Sequence, residues 1–111
     1  METRVVLRAT LLLYLSLATG GTALAQDEEI ERGQALTTKL CAECHAVGRT
    51  GVSPDTGAPT FRSIDDHTDL DAFMVRLRTG QQSTHPDRPA FHFSRDDGDA
   101  VVTYLRSIQG P

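Results

Sequence analysis

Apolar side chains recur at helical spacing in each of three predicted helices. Residues 27–40 begin with acidic side chains, which favour the positive end of a helix dipole. One face of this segment carries Ile30, Gly33, Leu36, Thr37 and Leu40. Residues 68–79 are more regular, with Leu70, Phe73, Met74 and Leu77 at positions i, i+3, i+4 and i+7. We expect Thr68 to cap this second helix, because Asp71 follows three positions later, and Gly80 to end it.

The third predicted helix runs from a cap at Ser94, with Asp97 three positions on, to a stop at Gly110. Its apolar face carries Val101, Tyr104, Leu105 and Ile108. Residues 46–60 are rich in glycine and proline and are predicted to form a loop, and the prolines within 81–93 exclude a continuous helix there. No segment alternates as a strand does, so the pattern predicts an all-α fold of three or more helices.

The first 25 residues have the pattern of a secretory signal peptide. Arg4 and Arg8 give a basic start, residues 11–18 are mostly apolar, and Ala23-Leu24-Ala25 matches the small-residue cleavage pattern. We expect cleavage after Ala25, which leaves a mature domain of residues 26–111 in the periplasm, an oxidising compartment. A retained anchor is the alternative, but the apolar run is shorter than the roughly 20 residues of a membrane span. We therefore expect no integral membrane segment after processing.

Composition indicates that side chains alone do not fill the core. Residues 26–111 are poor in apolar side chains and contain no Trp, and their aromatic residues are Phe61, Phe73, Phe91, Phe93 and Tyr104. A domain this small usually needs a disulfide, a metal or a cofactor for stability. With only two cysteines, a scaffold of several disulfides is excluded.

Charge excludes a further class of function. The chain has 11 basic and 15 acidic residues, a formal net charge of −4, and no cluster of Lys or Arg. An acidic domain of this kind is repelled by phosphate backbones and attracted to basic surfaces. We therefore expect protein partners and no nucleic acid.

Both cysteines lie in Cys41-Ala42-Glu43-Cys44-His45, and C-x-x-C-H is the attachment pattern of c-type haem. Two thiols at this spacing can form thioether bonds to the two vinyl groups of the porphyrin. The histidine that follows is then positioned to bind the iron. We expect one covalent haem c per chain, held by Cys41 and Cys44, with His45 as the proximal iron ligand.

Zinc binding and thiol redox chemistry are the alternatives for this motif. A zinc site would need further ligands, and His67, His85 and His92 show no H-x₃₋₅-H spacing. A thioredoxin-like redox pair would need a βαβ pattern, which the chain lacks. Both alternatives are therefore weaker than haem attachment.

These features resemble those of small bacterial class I c-type cytochromes. The resemblance covers residues 26–111 and is carried by Gly33, the C-x-x-C-H motif, Gly57-Ala58-Pro59, the segment 85–91 and the helix with Tyr104-Leu105. It implies a cytochrome c fold, with helices wrapped around one haem. It also implies that Gly33 lets the first helix cross the last near Tyr104, and that the carbonyl of Pro59 accepts a hydrogen bond from His45.

The chain departs from this family at the second axial ligand of the iron. Relatives usually supply a methionine within H-P-x-M-P, whereas residues 85–89 read His-Pro-Asp-Arg-Pro and place Arg88 at the methionine position. A guanidinium has no lone pair to offer iron. Met74 belongs to a helical stripe, which favours packing over ligation. We expect His85 to be the distal ligand, with His92, water or a vacancy as the alternatives.

The resemblance implies an electron carrier rather than an enzyme, serving redox protein partners in the periplasm or the membrane. The change at Arg88 leaves an alternative open. A five-coordinate or bis-histidine haem could bind or sense a small ligand, or act as a weak peroxidase. Because one fold supports many functions, the fold alone is compatible with each of these activities.

Overall fold

The structure is a computed structural model that describes residues 20–80 and 92–110. In these residues the secondary structure is helical, without strands. The helices are α1 (Gly20–Cys41), a 3₁₀ segment (Phe61–Asp66), α2 (Leu70–Thr79) and α3 (Arg95–Ile108). The predicted all-α fold is therefore confirmed. No helix in the described ranges is both long enough and apolar enough to cross a membrane.

Helix α1 begins earlier than the predicted start at Asp27. In the described residues it extends from Gly20 through Ala23-Leu24-Ala25, whose residues have the strongest helix propensities. Residues 21–28 are exposed, so local preference rather than packing extends the helix at this end.

Helices α1 and α3 cross closely at Gly33, which is buried. A Cβ atom at this position would lie 2.0 Å from the carbonyl oxygen of Ala100 and 2.7 Å from the Cβ of Tyr104. One turn later, Thr37 is 1% exposed and its hydroxyl donates to the Gly33 carbonyl at 3.0 Å. The structure thus has the close crossing that the family resemblance implied.

The start of α2 corrects the expected cap. Asp69, not Thr68, is the N-cap residue, and its carboxylate accepts the Ala72 N–H at 2.8 Å. Both residue types can cap a helix, and a carboxylate gains further from the helix dipole. The Thr68 hydroxyl instead accepts a hydrogen bond from the Arg76 guanidinium at 2.7 Å. Gly80 ends the helix as predicted, with φ of 69°.

Two ion pairs link α2 to α3, which runs antiparallel to it. Asp71 pairs with Arg106, and Arg78 pairs with Asp99. Met74 is half-buried and lies between Asp71 and Arg78 at helical spacing, so it shares the side of α2 that borders α3. The other apolar residues of the stripe contact the core, but no residue of α2 is fully buried. Helix α2 therefore has apolar surface that the described chain does not cover.

Helix α3 supplies most of the core. The buried cluster consists of Phe61, Ile64, Val101, Tyr104, Leu105 and Ile108. The 3₁₀ segment, which the sequence pattern did not predict, contributes its first and fourth residues to this cluster. The side-chain amide of Gln109 donates to the Phe61 carbonyl at 2.7 Å. Gln109, rather than Gly110, is the C-cap of α3.

The N-terminus of α3 is tied to α1 through Asp97. The Ser94 hydroxyl accepts the Asp97 N–H at 3.1 Å, as the capping pattern predicted, and donates to its carboxylate at 2.9 Å. Arg32 of α1 reaches the same carboxylate at 2.7 Å. The hydrogen bonds from Ser94 and then Arg32 hold the pKa of Asp97 below its ordinary value.

We expect Gly33→Ala to lower the free energy of unfolding by about 3 kcal/mol, because the added methyl group overlaps the backbone of α3. Chemical denaturation followed by circular dichroism measures this loss. Gly48→Ala is the control, because a Cβ there meets nothing within 4 Å, and its effect should stay within about 0.5 kcal/mol. Equal effects of the two substitutions would contradict the importance of the crossing.

Candidate haem-attachment site

The C-x-x-C-H motif forms a turn at the C-terminal end of α1. Cys41 is the last residue of the helix, and its carbonyl accepts the N–H groups of Cys44 at 3.2 Å and His45 at 3.0 Å. The turn therefore keeps both cysteines and the histidine close together. Both cysteines are half-buried, and no disulfide joins them in the described chain.

The orientation of His45 is set on two sides. Its Nδ1 lies 2.7 Å from the carbonyl oxygen of Pro59, and its ring packs against Phe61 with centroids 4.7 Å apart. Because a carbonyl oxygen only accepts hydrogen bonds, this contact favours the tautomer with the proton on Nδ1. In the neutral ring, Nε2 then carries the lone pair that a metal ion would need.

The loop of residues 46–60 is attached to the motif and to α3. The Asp55 N–H donates to the Cys44 carbonyl at 3.1 Å, and the Ala46 N–H donates to the Ser53 hydroxyl at 3.0 Å. From α3, the Tyr104 hydroxyl donates to the Val47 carbonyl at 2.8 Å, and burial raises the pKa of Tyr104. Sequence reasoning missed Ser53, since nothing in the local pattern marks a serine in a loop as the partner of a distant amide.

These residues fit a haem. The two cysteines and the lone-pair nitrogen of His45 supply the donor set of a covalently attached, iron-ligated ring. A flat apolar ring also suits the partly buried side chains beside the core, which include Leu36, Val47, Leu70, Phe73, Leu77 and Phe93. The zinc alternative gains no support, because no group of three His, Cys, Asp or Glu in the described ranges is placed to hold a metal ion.

Of the other three histidines, His67 and His92 lie in the residues that the structure describes. His85 and Arg88 lie outside the described residues. His67 is exposed at the end of the 3₁₀ segment. His92 is exposed, and its imidazole lies so close to the Cα of Gly80 that a Cβ there would be 2.3 Å from the ring.

The contact at Gly80 belongs to a junction between α2 and α3, which we call the neck. It consists of Leu77 and Gly80 on one side and His92 and Phe93 on the other. The Phe93 N–H donates to the Leu77 carbonyl at 3.3 Å, and the Phe93 side chain packs against the core. Phe93 and His92 thus make different contacts, with the core and with Gly80 respectively.

An all-helical domain with this turn and this histidine geometry defines a haem-binding class of protein. A family model for cytochrome c matches residues 30–109, and the chain belongs to that family. No curated protein and no solved structure matches the chain. As a member of the cytochrome c family, the protein is a haem-binding electron carrier.

Proposed function

We propose that this chain is an exported, monohaem c-type electron carrier of the periplasm. Cys41 and Cys44 bind the haem covalently, His45 is the proximal ligand, and the signal peptide is removed after Ala25. The contact between His45 Nδ1 and the Pro59 carbonyl, beside the two cysteines, supports this function best, because it orients the other ring nitrogen for ligation. The bound haem would supply a one-electron couple.

Contacts within the chain would keep the His45 ring in the same position when the charge on a bound iron changes. The Pro59 carbonyl fixes the tautomer and the orientation of the His45 ring. Phe61 is buried against that ring and limits access of water. A group already held by such contacts needs little reorganisation when charge moves, which suits electron transfer rather than bond chemistry on a substrate.

We expect the haem of the purified mature protein to stay with the polypeptide in acidic organic solvent, because thioether bonds survive denaturation. Cys41→Ala or Cys44→Ala should weaken retention. The double variant should lose the haem and fail to fold, since the ring completes a small core. Ala42→Ser, between the two cysteines, is the control and should retain the haem. Extraction of haem from the wild-type protein into the organic phase would contradict covalent attachment.

For the sixth iron position we propose His85, since Arg88 stands at the usual methionine position. Two observations on the described residues support this choice. Met74 lies on the side of α2 that borders α3, and His92 packs on Gly80 in the neck. The alternative, favoured by the same arginine, is an open or exchangeable position that binds a small ligand or gives weak peroxidase activity.

We expect the ferric protein to lack the near-infrared band of sulfur-ligated haem, and the ferrous protein to bind carbon monoxide slowly. His85→Ala should speed that binding and change the optical spectrum, whereas His67→Ala, at an exposed position, should change neither. Arg88→Met should restore the sulfur band and raise the reduction potential, because methionine ligation does so. An unchanged spectrum in His85→Ala would exclude His85 as the ligand.

We further propose that the partners are redox proteins with basic surfaces, in the periplasm or the membrane. Removal of the first 25 residues leaves nine basic and fourteen acidic residues, so the mature chain is acidic. Encounters between redox proteins are typically small and transient, so long-range attraction affects their rate strongly.

We expect the rate of electron transfer to a basic redox protein to fall as salt rises above about 0.1 M, where the Debye length is about 10 Å. Stopped-flow mixing at several ionic strengths measures the rate. An uncharged quinone is the control oxidant, and its rate should not depend on salt. An electrostatic encounter would be contradicted if the rate with the basic protein did not change with ionic strength or increased with it.

A further inference from the structure

Ala46 joins the two sides of the proximal hydrogen bond. It directly follows His45, is 9% exposed, and bonds through both of its backbone polar groups. Its N–H donates to the Ser53 hydroxyl at 3.0 Å, and its carbonyl accepts the Phe61 N–H at 2.9 Å. Since Phe61 lies two residues after Pro59, the second bond connects the segment bearing the imidazole to the segment bearing the carbonyl that contacts it. The first bond ties Ala46 to the middle of the loop that joins these two segments.

Among the bonds between Ala46 and the loop, the one to Ser53 is made by a side chain. The other bonds that tie the motif to this loop, from Asp55 to Cys44 and from Phe61 to Ala46, run from backbone to backbone. A substitution leaves such bonds in place, whereas removal of the Ser53 hydroxyl leaves the Ala46 N–H without its acceptor in a buried position. A buried amide without an acceptor is destabilising, so the backbone shifts to relieve it.

We propose that Ser53 is a positioning residue that tunes the proximal ligand. Through Ala46 it holds His45 Nδ1 at short distance from the Pro59 carbonyl, and so sets how strongly Nε2 would donate electron density to a bound iron. A strongly donating proximal ligand favours ferric iron, so Ser53 keeps the reduction potential low. This inference rests on the proposed function, in which His45 binds the haem iron.

Ser53→Ala in the haem-loaded protein tests the proposal by two measurements. Spectroelectrochemistry should show a midpoint potential shifted to more positive values. Proton NMR should show the His45 Nδ1 proton exchanging with solvent at least about tenfold faster, the ratio that corresponds to ~1.4 kcal/mol. Ser53→Thr keeps the hydroxyl and should restore both values.

Ser63→Ala is the matched control. The Ser63 hydroxyl forms a local hydrogen bond with the Thr60 hydroxyl at 3.0 Å. Unlike the Ser53 hydroxyl, it does not accept the Ala46 N–H. We expect this variant to keep the wild-type potential and exchange rate. Equal shifts in the two variants, or a loss of stability in Ser53→Ala with both readouts unchanged, would show that Ser53 is merely structural and overturn the proposal.

The wild-type protein supplies a test that does not depend on the stability of a variant. If Ser53 links the two groups, the Ala46 amide and the His45 Nδ1 proton should exchange through the same opening and show similar protection. Unrelated protection of these two protons would overturn the positioning role. A wild-type protein without covalent haem would instead overturn the proposed function, and this inference with it.

Discussion

The contact of the α1 and α3 backbones at Gly33 is the constraint on which the rest of the fold depends. It fixes the direction in which α1 runs to its end at Cys41, and therefore where the C-x-x-C-H turn lies. The same helix α3 holds the following loop through Tyr104 and the 3₁₀ segment through the buried cluster. A single close crossing thus places the motif and the loop carbonyl of Pro59 relative to one another.

The helices differ in how much of their apolar surface the chain itself buries. Helix α3 is buried along most of one face, whereas α2 carries an apolar stripe of which no residue is fully buried. Apolar side chains contribute to stability in proportion to the surface removed from water, so α2 gains least from the polypeptide alone. A haem packed against this stripe would cover apolar surface that the polypeptide leaves exposed, and would therefore stabilise the folded state.

Local pattern predicted the elements that depend on nearby residues. Residue spacing within one or two turns predicts the apolar stripe of α2, its end at Gly80 and the Ser94 cap of α3. Errors arose where neighbours compete, as at Thr68 and Asp69, or where helix propensity continues, as at Ala23-Leu24-Ala25. The 3₁₀ segment and the Ser53–Ala46 bond depend on contacts between residues that are more than one helical repeat apart in the sequence. No local signal marks such contacts. For Pro59, the family resemblance supplied the expectation, and the structure places its carbonyl beside His45.

The neck also holds together the two chain segments that flank residues 81–91. Because Leu77 bonds to Phe93 and Gly80 contacts His92, the two ends of residues 81–91 are held together by groups outside that segment. The entropy of closing a loop depends only weakly on its length, so insertions and substitutions between fixed ends cost little stability. Substitutions among residues 81–91 could therefore accumulate while the helices that carry the C-x-x-C-H turn stayed unchanged.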